Sequence, residues 1–414
     1  MAAKRAVATA RKIPSQGGSQ RVAPAQHDQQ AALDRVMQLM AIPGLSGEEA
    51  QVAGFIRSQL LEAGAAEKAI TYDACHKRTP AGGEVGNLIV RLPGTVRKPR
   101  RLLMAHLDTV PVCAGSQPQR KGNYVRSAAA DTGLGADNRA GCSVVLTAAL
   151  EILKRDLPHP PLTLLWTVQE EIGLFGARHL KPSALGKVAL AFNWDGGAAG
   201  KLTIGATGGY RMTIEVHGLA SHAGGAPEQG VSAIAIAALA ISRLVEGGWH
   251  GRIEKNGSTG TSNVGVINGG ATTNVVTDRV VVRAEARSHD SRFRRRIVRE
   301  IESAFRQAAK QVCNDQGKSG SVHIDGHLDY DSFRLPLDTP CVQRAAEAVE
   351  AAGLEPELAV ANGGLDANWM VQHGIPTVSL GCGQRNIHTV NEQLFIPDFQ
   401  HACRIALSLA SDVS

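Results

Sequence analysis

From residue 28 the chain switches repeatedly between two hydrophobic periods. DQQAALDRVMQLMAI (28–42) spaces its apolar positions three and four apart, which predicts an amphipathic helix ended by Pro43-Gly44. SGEEAQVAGFIRSQLLEAG (46–64) predicts a second helix, with Ser46 as its N-cap, acids in its first turn and Gly64 as its stop. GNLIVRLPG and RRLLMAHLD predict strands, NRAGCSVVLTAALEILKR a helix, and PLTLLWTVQEE, VALAFNWDGG and IPTVSLGCG further strands. Strands alternating with helices predict an α/β fold, a largely parallel sheet covered by helices.

The texture changes between 209 and 328. YRMTIEVHG, VSAIAIAALAISRLVEGG, TSNVGVING, DRVVVRAEARS, SRFRRRIVREIESAFRQAAKQV and SVHIDGHLDY read in order as β-α-β-β-α-β, the split ferredoxin-like α+β unit. The α/β pattern then resumes with TPCVQRAAEAVEAAG. The expected organisation is a tail over 1–27, an α/β domain over 28–208 and 329–414, and an inserted domain over 209–328. The basic run 292–296 lies on a predicted helix whose apolar stripe includes Phe293, Ile297 and Ile301, so its arginines are expected on a solvated face.

Composition narrows the function classes. The chain has 414 residues, 43% hydrophobic and 4% aromatic, with a net charge of +6. Five of those charges (Lys4, Arg5, Arg11, Lys12 and Arg21) fall in the acid-free tail, which leaves a net charge of +1 on the body. A nucleic-acid partner would need a basic face on the folded part, so none is expected. The tail is too polar for a secretory signal, and its composition predicts disorder. No stretch of about 18 apolar residues occurs, so no membrane span is expected. Seven scattered cysteines without CxxC spacing argue against a disulfide scaffold or thiolate metal site and for a reducing, cytoplasmic setting.

Chemistry collects at predicted strand ends. LLMAHLDTVP (102–111) ends a strand with His106 and Asp108, which share a face. Asp137 lies in GLGADNRAG before a helix, Glu170 and Glu171 end LTLLWTVQEE, Asp195 ends LAFNWDGG, and His388 follows TVSLGCG. Each alone has a bland explanation: a helix cap for Asp137, solvated charges for the glutamates, a loop histidine for His388. Together they fall on the carboxyl edge of an open α/β sheet, where ligands bind.

Two imidazoles and several carboxylates suit zinc, cobalt or manganese, and the donors are too many for one tetrahedral ion. With His106, Asp137, Glu171, Asp195 and His388 as ligands, Asp137 can bridge two ions, each keeping room for water or substrate. Asp108 then orients His106, and Glu170 is free to move a proton from the attacking water to the leaving amine.

HLDTVP, LGADNRAG, QEEIGLFGA, NWDGG and IHTVNE resemble, in order and spacing, the metal-site motifs of the M20 metallopeptidase family, most closely its peptidase T (tripeptide aminopeptidase) branch. The resemblance implies a zinc-peptidase-like sheet, two zinc ions bridged by Asp137, Glu170 as base and Asp108 as orienter. It also implies that the insertion is a lid and dimerisation domain, and so a homodimer. GLASHAGGAPEQGVSAI resembles the lid segment with a substrate-facing histidine, here His222, whose imidazole can donate to an oxyanion. TTNVVTD and AEARSHD resemble segments that supply a carboxylate-binding asparagine and arginine, here Asn274 and Arg287, a good anion clamp. In NGGLDANW, Asn362 stands where that branch often has arginine. The implied activity is hydrolysis of short peptides. A carboxypeptidase or N-acyl-amino-acid deacylase on the same scaffold is the enzymatic alternative. A non-catalytic binding protein is the other, and it could be expected to lack Glu170 or a ligand, whereas this chain has them all.

Overall fold

A computed structural model describes residues 26–412. The tail reading falls mostly on residues 1–25, outside the described ones. Of the two described residues counted there with the tail, His27 is buried and bonds Gln400 at 2.6 Å, and the exposed Gln26 accepts from Arg155 through its backbone carbonyl.

The described chain forms two compact units, one comprising residues 26–205 with 334–361 and 365–412, the other residues 206–333 with 362–364. The first holds a nine-stranded sheet. At its centre run four parallel strands in the order Leu162–Thr167, Arg100–His106, Val188–Trp194 and Thr377–Leu380. The first two of these are almost wholly buried, matching their continuous apolar runs LTLLWT and LLMA. The expectation of a largely parallel sheet needs correction at the flanks. Leu88–Leu92 pairs antiparallel with Leu162–Thr167, and Lys201–Ala206 antiparallel with Thr377–Leu380. The helix Ala136–Arg155 is buried over most of its length, against the strand Arg100–His106 and the helices Gln29–Ala41 and Ile396–Ala410. A small four-stranded sheet, built from Pro118–Lys121, Tyr124–Ser127, Gln384–Arg385 and Gln393–Phe395, has no counterpart in the sequence reading.

Ser46 does not cap the second helix. That helix is Ala50–Glu62, with Glu49 in the N-cap place and no side-chain cap bond. The hydroxyl of Ser46 donates instead to Asp108 at 2.6 Å, a charge-assisted bond stronger than a neutral cap.

The second unit is a five-stranded antiparallel sheet in the order Gly251–Lys255, Ser258–Gly269, Arg279–Ser288, Gly208–His217, Ser321–Tyr330. Four of these strands and the helices Ala233–Glu246 and Ser291–Gln311 make the expected split unit. Their core includes Ile214, Ile236, Val282, Ile297 and Phe305. The edge strand Gly251–Lys255 is additional. It turns into its neighbour through Asn256-Gly257, both at positive φ, the pair of residues a two-residue hairpin favours. Arg294 departs from the solvated face: it is buried and pairs with Asp331 at 2.8 Å, because its position lies beside the apolar stripe.

Candidate active site

The first unit brings seven of the sequence-selected residues to the carboxyl edge of its parallel strands. His106 is the last residue of its strand, Glu170 and Glu171 follow Thr167, and Asp195 follows Trp194. His388 lies eight residues beyond Leu380 at φ 64°.

Asp137 spans the two imidazoles. Its Oδ1 lies 3.2 Å from His106 Nε2 and its Oδ2 lies 3.2 Å from His388 Nε2. Glu171 approaches the same His388 nitrogen at 3.1 Å. His106, Asp137 and Glu171 each offer one donor atom within a common 4.8 Å span, as do His106, Glu170 and Asp195. The other nitrogen of His106, Nδ1, faces Asp108 through its backbone carbonyl at 3.2 Å and its carboxylate at 3.4 Å.

Why Asp137 is free to face the imidazoles follows from its neighbour. Asp137 and Asn138 are not helical, and Asn138 caps the regular helix that follows them, its Oδ1 accepting from Gly141 N–H at 2.9 Å while its amide donates to the Trp194 carbonyl at 2.7 Å. The peptide between Asp137 and Asn138 is cis. Gly141 is needed where the helix meets the strand end, since a Cβ there would lie 2.2 Å from the Trp194 oxygen.

Two carboxylates outside the expected set hold the loops. Glu392, nearly inaccessible to solvent, accepts from the backbone N–H groups of Leu134, Gly135 and Asp137 at 2.9, 2.7 and 2.9 Å. Its motif IHTVNE was visible in the sequence, but nothing local marked the glutamate as a splint for a loop some 250 residues away. Asp366, also missed, is buried, accepts from the Thr167 hydroxyl and has one oxygen without a partner.

The electrostatics are those of crowded acids. Burial pushes the Asp195 carboxyl up to about 7, with Asp137 adding to the shift. Burial likewise raises Glu170, to which Asp195, Asp366 and Glu171 contribute against His106. Asp366 reaches about 6 for the same first reason. Asp137 goes the other way: burial opposes its charge, but hydrogen bonds from His106 and His388 outweigh it. Those bonds, first to Asp137 and then to Glu171, lift His388 to about 10. Among the described residues no lysine or arginine pairs with these carboxylates. A cluster of this charge, built only from imidazole and carboxylate donors, fits one or two borderline divalent cations. Burial, and then Asp195, raise the thiol of Cys382 well above its ordinary value.

The three residues expected in the inserted unit are not gathered at one place. His222 is exposed and lies beside Val275, and the Asn274 carbonyl accepts from Ala223 N–H at 2.9 Å. His222 Nδ1 accepts from the N–H groups of Gly225 and Gly224 at 2.8 and 3.2 Å, which leaves the ring proton on Nε2 as an outward donor. The Asn274 side chain bonds Thr272. Arg287 is held by its own neighbour, with Nε and Nη2 donating to the two oxygens of Glu285 at 2.9 and 3.0 Å. In the strand register Arg279 faces His217 while Arg287 faces Gly209. Arg287 and the His222–Asn274 ribbon therefore lie beyond opposite ends of the ladder, whose end residues Arg279 and Arg287 are about 27 Å apart along the strand at ~3.4 Å per residue. Asn362 Oδ1 accepts from His289 Nε2 at 3.1 Å.

Comparison with known proteins places the chain in a family. The model of Peptidase family M20/M25/M40 matches residues 102–412. The YqjE protein of Bacillus subtilis is 31% identical over 384 residues, 92% of this chain and 98% of its own. A tripeptidase from Staphylococcus aureus superimposes with a TM-score of 0.83 at 28% identity, over 93% of this chain and 98% of that one. The aminopeptidase PepT from Bacillus cereus does so with a TM-score of 0.79 at 30% identity, over 93% and 98%. By its motifs, its fold and the reach of these matches, the chain belongs to peptidase family M20/M25/M40 and is a metallopeptidase.

Proposed function

We propose that the protein cleaves amide bonds of short peptides, as a tripeptide aminopeptidase, with two divalent ions held by His106, Asp137, Glu171, Asp195 and His388. The observation that carries this reading is Asp137, each of whose oxygens faces a different imidazole. A carboxylate so placed could be shared by two ions, which His106, Asp195, His388 and Glu171 would help to hold. Zinc suits the donors best, with cobalt and manganese as alternatives. Bound ions would polarise the scissile carbonyl and ready a water for attack.

The chain's own groups do the rest. Asp108 fixes the ring of His106 from behind. Glu170, buried beside other acids and absent from the ligand set, takes the proton of the attacking water and delivers it to the leaving amine. Arg287 supplies a guanidinium fork for the substrate's free carboxylate, His222 an Nε2–H for the developing oxyanion, and Asn274 an amide. Because Arg287 and Asn274 lie at opposite ends of one sheet, they can serve one substrate only across two copies of the chain. This gives the homodimer reading a geometric motive.

Names of similar structures, a tripeptidase and an aminopeptidase, support the substrate class. The test is a turnover screen with the zinc-loaded protein on di- and tripeptides, N-blocked tripeptides and N-acyl amino acids. Cleavage of free tripeptides at the first bond, with blocked ones inert, is expected. Preference for N-acyl amino acids would replace this reading with the deacylase alternative.

A further inference from the structure

Three successive backbone N–H groups in the turn that carries the paired glutamates are each held by a carboxylate oxygen. Gln169 donates to Glu49 Oε1 at 3.0 Å, Glu170 to Asp108 Oδ1 at 3.0 Å, and Glu171 to Asp108 Oδ2 at 3.1 Å. Asp108 already has a place in the site. Glu49 has none, although it is fully buried and comes from a segment about 120 residues upstream.

Glu49 stands in the N-cap place of the helix Ala50–Glu62 but makes no cap bond there. Its Oε1 instead takes two N–H groups, from Gln169 and from Gly47 at 2.8 Å, while Oε2 has no partner. A buried carboxylate kept away from its own helix needs another reason to be there, given what burying a polar group costs. Gln169 supplies one. Its φ is 55°, a left-handed conformation that residues other than glycine adopt only when held. The conformation at 169 sets the direction in which the next side chain leaves the backbone, and the next side chain is Glu170. Ser46, three residues before Glu49, bonds Asp108 at 2.6 Å, so one short segment steadies both halves of the clasp.

We propose that Glu49 is a positioning residue: by accepting the Gln169 N–H it holds the left-handed turn that aims the Glu170 carboxylate. The inference rests on Glu170 being the base. Glu49 touches neither substrate nor ions, and it acts only through the backbone of Gln169. A mere structural staple would differ in its consequences, since its loss would lower stability but leave the turnover of the folded, loaded protein unchanged.

The test uses the full chain loaded with zinc, comparing wild type with Glu49→Ala and Glu49→Gln for kcat, KM, metal per chain and melting temperature. A misplacement of about 1 Å costs up to ~100-fold in rate. Glu49→Ala should therefore lower kcat by roughly 10- to 100-fold, with KM and metal content near wild type. The amide oxygen of glutamine can accept the same two N–H groups, so Glu49→Gln should recover most of that loss. Adding Gln169→Gly to Glu49→Ala should restore part of kcat, because glycine takes positive φ without a holder. Wild-type kcat in folded, loaded Glu49→Ala would overturn the proposal. So would a Glu49→Gln as impaired as the alanine variant, a comparison that stands even if alanine prevents folding. Glu170→Gln is assayed alongside. Full turnover there would remove the reading of Glu170 itself, an outcome separate from any result at Glu49.

Discussion

The two units organise their chemistry in opposite ways. In the first, His106 and His388 are distant in sequence yet lie against the two oxygens of one aspartate. In the second, Asn274 and Arg287 are near in sequence yet sit at opposite ends of a ladder. Parallel strands explain the first case, because every carboxyl end reaches the same edge whatever the length of the crossover. An extended strand explains the second, since each residue adds about 3.4 Å of separation. The local electrostatics differ as well. The clustered acids at the strand ends of the first unit are buried beside one another with imidazoles as their only cationic partners among the described residues, whereas Arg287 is already neutralised by Glu285. Convergence there suits a cation, and separation here is what the proposed site shared by two copies would need.

This contrast can be broken most severely by removing metal. Dialysis against a chelator should reduce turnover more than about 1,000-fold, since an unactivated water is a very weak nucleophile. Zinc, cobalt or manganese should restore it. Hydrogen exchange should speed up around residues 106, 137, 170, 195 and 388 and stay unchanged over 208–330. Full activity with less than one ion per chain would remove the distinction between the units.

Next in size is Glu392. Alanine there strands three buried N–H groups, each costing about 1–3 kcal/mol when left unpaired. Metal affinity should fall roughly 10- to 100-fold, the usual range when a group supporting a ligand is lost. Titration calorimetry or competition with a fluorescent chelator would measure it, and unchanged affinity would show that the Asp137 loop holds itself.

Smaller effects are expected in the inserted unit. Arg287→Ala should lower kcat/KM for tripeptides with a free C-terminus by about 10- to 30-fold, the lower end for a lost charge partner at a half-exposed site. C-terminal amides should be poor substrates for both proteins. Glu285→Gln should lower KM for free peptides, because it releases the fork. Two groups this far apart in one chain should act additively. Non-additivity of about 1 kcal/mol between Arg287→Ala and Asn274→Ala is nevertheless expected, lost when the protein is diluted to monomer. Strict additivity at every concentration would argue against a site shared by two copies.

How much of this was legible in the sequence depended on whether a residue acts through its side chain at a strand end or through someone else's backbone. The strands ending at His106, Thr167 and Trp194 announced themselves by apolar runs, and the polar residues at their ends stood out against them. Glu49 looked like first-turn acid and Ser46 like a cap, because local pattern offers a helix its own partners first. Their actual partners, Gln169 and Asp108, are set by tertiary contact. Arg294 was misplaced for a similar reason: a basic run reads as solvated until the face it borders is known. The edge strand Gly251–Lys255 was missed although Asn256-Gly257 signals a hairpin, since few of its residues are apolar. The register separating Asn274 from Arg287 has no local signature at all.

The central claim is that five residues hold the ions and that Glu170, adjacent to one of them, does not. Metal content of Glu170→Gln and Glu171→Gln, measured on the same day with turnover, tests it most directly. Glu170→Gln should keep its full complement of ions and lose about 10²- to 10⁴-fold in kcat, the range for a missing general base. Glu171→Gln should lose metal from the His388 side. Equal metal loss in the two variants, or equal retention, would contradict the division of labour between these neighbouring glutamates.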